Sequence, residues 1–172
     1  MAPKLHAVST DVHIWKSEEL RSLDLHLQAV GVNMHSLCWE NYELLHDDTD
    51  HFTWNGFTAF AKDLVKLVRS LRGRTLVVSD STIDYWNWGG DGTRTNDATR
   101  LLESACPNMR VDAVCGSGFV ATRKDMTDFR TRLRGHRMHQ FDHVLLVGGW
   151  NDLGCSKEQL YHALRQMSAP IR

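Results

Sequence analysis

His143-Val144-Leu145-Leu146-Val147, followed at once by Gly148-Gly149-Trp150-Asn151-Asp152, is the stretch whose reading decides the fold. Its apolar run is too short for a buried helix and does not alternate, which is the pattern of a strand covered on both faces. The paired glycines then end the strand and hand the chain to a polar loop. Four other runs read as strands, over residues 5–14, 32–39, 75–78 and 109–115. Each of the five strands is followed by a helical pattern, over residues 17–29, 55–71, 95–105, 125–133 and 156–167. In the helix over 55–71, Phe57, Phe60, Ala61, Leu64, Val65, Val68 and Leu71 recur at three- and four-residue steps and so share one face. Strand then helix, five times, specifies an α/β domain built on a parallel sheet.

The 172 residues suffice for one such domain, and no repeat or low-complexity tract divides them, so residues 1–172 are expected to form one unit. No apolar stretch approaches the roughly 20 residues needed to cross a bilayer, and residues 1–10 lack a signal peptide's apolar core. These features give the expectation of an intracellular protein, cytoplasmic or nuclear, without a membrane span. The net charge of −1 argues against a protein made chiefly to neutralise phosphate backbones. The charge is nonetheless uneven: residues 1–70 carry six Lys/Arg against ten Asp/Glu, and residues 71–172 fourteen against eleven. Arg123, Lys124, Arg130, Arg132, Arg134 and Arg137 form a basic segment that reads as a solvated helix face, with a nucleic-acid contact as the alternative. Cys38, Cys106, Cys115 and Cys155 show no paired or metal-ligand spacing and read as reduced thiols.

Ligands of open parallel sheets bind beyond the carboxyl ends of the strands, so the loops that leave those ends carry the functional information. They contain Ser79-Asp80-Ser81, Ser117-Gly118, Gly149-Trp150-Asn151-Asp152 and Asp48-Thr49-Asp50-His51. Singly each is an ordinary cap, turn or solvated loop. Together they supply a hydroxyl nucleophile, an imidazole base, a carboxylate to orient it and donors for an oxyanion.

These four blocks resemble the SGNH hydrolases, also called the GDSL esterase family. The resemblance implies a three-layer α/β/α, flavodoxin-like fold with a five-stranded parallel sheet. It matches Ser81 to the nucleophile, His51 to the general base, Asp48 to its orienting carboxylate, and Ser81, Gly118 and Asn151 to the oxyanion hole. Thr53, Gly56 and the helix after them agree with the family's closing segment. Two features depart from the pattern. Ser79 stands where the first block has glycine, and Asp48–His51 precedes the other blocks instead of following them. A circular permutation accounts for the second: residues 72–172 correspond to the usual N-terminal part, residues 3–71 to the usual C-terminal part, and residues 71–74 join the old termini. Completion of the fold within a monomer is expected, with exchange between two chains, as from tandem modules, as the alternative.

The resemblance implies a serine esterase or acyl hydrolase that needs no cofactor and proceeds through an acyl-enzyme. The histidines fit no metal spacing, and His46 is the rival for the base but lacks an aspartate three residues before it. Asp50, Asp80 and Asp152 read as loop and cap residues. Tyr85, Trp86 and Trp88, just after the nucleophile, and Trp150 are candidate substrate-binding aromatics for a small-molecule, glycan or lipid ester, with small acyl groups favoured because no apolar lid is visible. Two rivals stand beside this reading. One is a binding module in which the fold is kept, residues 123–137 contact nucleic acid and hydrolysis is incidental. The other is a flavodoxin-like nucleotide binder, which the absence of any phosphate-loop pattern disfavours.

Overall fold

The apolar runs form one parallel five-stranded sheet with its strands in the order β2-β1-β5-β3-β4. The computed structural model describes residues 2–9, 32–36, 51–120, 127–152 and 155–168. The strands are β1 (Lys4–Ser9), β2 (Val32–Ser36), β3 (Thr75–Ser79), β4 (Met109–Ala113) and β5 (His143–Val147). The helices are α1 (Trp54–Leu71), α2 (Ser81–Asp84), α3 (Asp97–Ala105), α4 (Phe129–Arg134) and α5 (Lys157–Ser168). The expected helix over 17–29 lies outside the described residues, as do residues 10–14 and 37–39 of the first two expected strands. The third expected strand gains Ser79, and the fourth stops at Ala113, two residues short of the expectation, because the chain turns through Val114–Ser117. The short helix α2 was not anticipated: four residues are too few to show a periodic pattern.

Side chains alternate between two apolar layers, as strand geometry requires. Val8, Val77, Leu145 and Val147 face α1 and α3, together with Phe57, Phe60, Leu64 and Leu102. Leu5, Ala7, Leu76, Val78, Val144 and Leu146 face α4 and α5, together with Phe129, Leu133, Leu160, Leu164 and Met167. The result is a three-layer α/β/α domain. β5 is central, paired with β1 on one side and β3 on the other, and its five side chains are all buried, as its unbroken apolar run requires.

Strand order carries more information than strand count. Counted from β3, the order β4-β3-β5-β1-β2 becomes 2-1-3-4-5, the flavodoxin-like doubly wound order. Counted from the first residue, no such order appears. The sheet is therefore compatible with a permuted flavodoxin-like topology, and its two halves meet in one chain where β1 pairs with β5.

Leu145 is fully buried at the centre of the sheet, under α1 and α3. Leu145→Ala is expected to lower the unfolding free energy by about 3 kcal/mol, through lost transfer energy and an incompletely collapsed cavity. Chemical denaturation checks this; a loss below about 1 kcal/mol is not what a close-packed centre produces.

Candidate active site

In a 2-1-3-4-5 sheet the strand order reverses between the first and third strands, and the crevice opens where the chain leaves their carboxyl ends in different directions. Here those strands are β3 and β5, which pair directly. β3 delivers Ser79-Asp80-Ser81 to this point and β5 delivers Gly148–Asp152. Asp80 caps α2, its Oδ1 accepting the Thr82 N–H at 2.8 Å, and Ser81 is the first helical residue. Ser81 is half-buried.

Tyr85 follows Ser81 by four residues, and residues four apart along a helical path share a face. The ring of Tyr85 stacks on that of His51, with 4.0 Å between centroids and 14° between planes. His51 reaches this position from the other half of the chain. Phe52 anchors it in the layer beneath α1, and Thr53 caps α1 by accepting the Gly56 N–H at 3.1 Å. The structure thus places His51 on a residue one helical turn after Ser81. Among the described residues no hydrogen bond joins Ser81 Oγ to His51. Asp48 lies outside the described residues.

The other two loops are tied to the first. The Asn151 side-chain amide donates to the Ser117 carbonyl at 2.9 Å and, more distantly, to Asp80 Oδ2 at 3.3 Å. The Asp152 carboxylate accepts the N–H groups of Phe119 and Val120, each at 2.9 Å. That grip explains Gly118, because a Cβ there would stand 2.7 Å from Asp152 Oδ2. Gly148 is required in the same way: a Cβ would stand 2.8 Å from Asp80 Oδ2 and 3.0 Å from the Phe129 ring. Asp152, read from sequence as a loop or cap residue, instead clamps the neighbouring loop.

Three buried or half-buried groups set the local electrostatics. Burial lifts Asp80 from 3.8 to about 6, against the opposing help of the Thr82 and Gly149 N–H groups and with a small push from Asp152. Burial also acts on Asp84, but the Cys115 N–H at 2.8 Å, the Asn87 amide and the Arg94 guanidinium at 2.8 Å together hold it below the usual carboxylate range. Burial, reinforced by Asp84, pushes the Cys115 thiol up to about 12. Cys115 therefore stays protonated and is not a thiolate nucleophile at neutral pH.

Arg132 departs from the sequence reading. Within the basic segment it is not on a solvated face: it is buried, and it donates to the Ser79 carbonyl at 2.8 Å, to Ser117 Oγ at 2.7 Å and to the Asp112 carbonyl, while pairing with the Asp112 carboxylate at 2.7 Å. The Asp112 carboxyl, also buried enough to be pushed up, is held low by Arg132 and His136. Helical spacing holds the missed signal, because Arg132 lies three residues after Phe129 and beside Leu133 on the inward stripe of α4. Arg134 and Arg137 are exposed, and Arg123 and Lys124 lie outside the described residues.

Among the candidate aromatics, Tyr85 and Trp88 are exposed at 38% and 45%; Trp54, at the start of α1 and not among them, is exposed at 51%. Trp88 lies under the Arg94 guanidinium. Trp86 is half-buried against Phe57 and Trp54, and so braces the surface more than it forms it. The side chain of Trp150 lies outside what the structure describes. Comparisons with protein-family models, with curated proteins and with solved structures give no match to this chain.

Because the folded-state pKa of Asp80 lies above its unfolded value of 3.8, the folded chain holds this proton more tightly. Its contribution to stability is full below about pH 4 and is lost as pH rises through about 6, to a total of about 3 kcal/mol. Urea unfolding across this window is expected to show the wild type losing stability relative to Asp80→Asn as pH rises. A difference between the two that is constant with pH would contradict the assignment.

Proposed function

We propose that this protein is a serine ester hydrolase of the SGNH type, with residues 72–172 as the front and residues 3–71 as the back of a permuted domain. The observation that supports the proposal is the stack of the His51 ring, from one half of the chain, on Tyr85, which lies four residues after Ser81 in the other half. Ser81 Oγ attacks the ester carbonyl as His51 takes its proton; the C–O bond to the alcohol then breaks, and the alcohol leaves with that proton. Asp48 is assigned to hold the imidazole tautomer. Water, deprotonated by His51, attacks the acyl-enzyme and frees the acid and Ser81.

The oxyanion is assigned to the N–H groups of Ser81 and Gly118 and to the Asn151 amide. Asn151 reaches Asp80 only at 3.3 Å, so this weaker bond is the one that an oxyanion replaces, while the 2.9 Å bond to Ser117 keeps the amide aimed. The exposed rings of Trp88 and Trp54 offer flat apolar area for the substrate. The binding-module reading loses part of its basis, since Arg132 is engaged in the interior and is not presented to a phosphate backbone.

Incubation with a small activated ester and with a serine-directed phosphonate tests the proposal. Wild type is expected to turn over the ester and to be labelled on Ser81; Ser81→Ala should lose both, with turnover down by at least about 1,000-fold. Asn151→Ala should remain labelled but lose about 100-fold or more in kcat. A folded wild type that neither turns over nor labels overturns the proposal.

A further inference from the structure

Tyr85 has two candidate roles, a wall for the substrate or a support for the base, and the contacts separate them. Its ring is nearly parallel to the His51 ring, 4.0 Å away. It also meets the Trp86 ring edge-on, at 5.2 Å and 89°. Trp86 lies 6.0 Å from Phe57, which is fully buried in the layer beneath α1. Four rings therefore run without a break from the core to the imidazole: Phe57, Trp86, Tyr85, His51. A ring that met only substrate would need no such bracing.

We infer that Tyr85 is a positioning residue for the base, fixing the plane of the His51 imidazole on the side of the chain that carries Ser81 and placing a π face against the imidazolium that forms during acyl transfer. The inference rests on the hydrolase reading and deepens it. An aromatic face attracts a cation through its quadrupole, and the attraction grows when the pair is shielded from water. In the hydrolase reading His51 takes up the Ser81 proton and passes it to the leaving alcohol, so the interaction strengthens as that charge forms in the reaction. Tyr85 itself forms and breaks no bond. The ring, not the hydroxyl, does this, which distinguishes the role from that of a proton donor.

The test compares Tyr85→Phe with Tyr85→Leu in the full chain, by three measurements: steady-state kinetics on an activated ester, the rate of Ser81 labelling by a phosphonate, and the proton resonances of the His51 ring. Tyr85→Phe is expected to keep kcat and the labelling rate within about twofold, and Tyr85→Leu to lower both by about 5- to 30-fold with KM little changed. The His51 ring protons should move downfield in Tyr85→Leu, where the stacked ring current is gone, and stay in place in Tyr85→Phe.

A raised KM with unchanged kcat in Tyr85→Leu would make Tyr85 a substrate wall and overturn the inference. His51 resonances that do not differ between wild type and Tyr85→Leu would overturn it as well. Wild type that labels, with Tyr85→Leu labelling equally fast, overturns this inference alone. Wild type that fails to label while its His51 ring-current shift is intact overturns the hydrolase reading and the base-positioning role with it.

Discussion

The carboxyl ends of β3 and β4 are held together by one buried guanidinium. Arg132 reaches from α4 to the carbonyl of Ser79, the residue before the Asp80 cap, and to the hydroxyl of Ser117, the residue before Gly118. Burying a cation is costly unless it is paired, and here Asp112 on β4 supplies the charge while His136 steadies Asp112 from the far side. Such pairs seldom add net stability over a well-packed apolar set of the same volume. What this one supplies is registration: the loop that carries Ser81 and the loop that carries Gly118 cannot shift apart without stripping partners from a charge in the interior. Ser117 then passes the constraint to the third loop, because its carbonyl accepts from Asn151.

Carboxylates complete the scaffold in the same manner, each gripping backbone N–H groups of its own or a neighbouring loop. Asp152 holds Phe119 and Val120, Asp84 holds Cys115, and Asp80 holds Thr82. They differ in what they do with their charge. Asp84, beside Arg94, is held low, whereas Asp80, with no cation beside it among the described residues, is pushed up to about 6 by burial. Loops fixed through charge-assisted bonds to backbone need little apolar area of their own. The outward faces of Trp54, Tyr85 and Trp88 accordingly stay exposed although each ring also packs on a neighbour.

How far these features were legible follows from what each depends on. The strands were legible because a buried parallel strand must be apolar on both faces, and β5 ends at the residues its sequence marks, His143 and Val147. α1 began one residue before its expected start, where Thr53 caps it. The placement of Ser81, Gly118 and Asn151 at strand ends was legible too, since it needs only the strand boundaries. Long-range partners were not. Nothing local says that Asp152 will take two N–H groups some thirty residues earlier in the chain, or that Tyr85 will lie flat on His51, because both depend on how loops from different strands meet. Arg132 falls between these cases: its helical phase put it on the inward stripe, but its charge argues for solvent until Asp112 is seen.

A circular permutation, with which the strand order is compatible, would leave the crevice untouched for a physical reason. The switch point is a property of spatial strand order and of the faces to which successive connections cross, and neither depends on where the polypeptide is opened. What permutation does require is a new connection from α1 to β3 that costs the fold nothing. That connection is short and bonded at Arg74. Arg72 ends α1 in the left-handed region at φ 50°, and a Cβ on Gly73 would stand 2.9 Å from the Asp142 side chain. The Arg74 N–H donates to the Asp142 carboxylate, and its carbonyl accepts from Asp142 and His143 at the entrance of β5. The Asp142 carbonyl in turn accepts the Lys4 N–H at the start of β1. One residue at the amino end of the sheet thus fastens the starts of β1, β3 and β5, and the joint between the two halves is as firmly held as any strand entrance. Loops at the opposite end can then come from both sides of that joint, those of Ser81 and Asn151 from one side and that of His51 from the other.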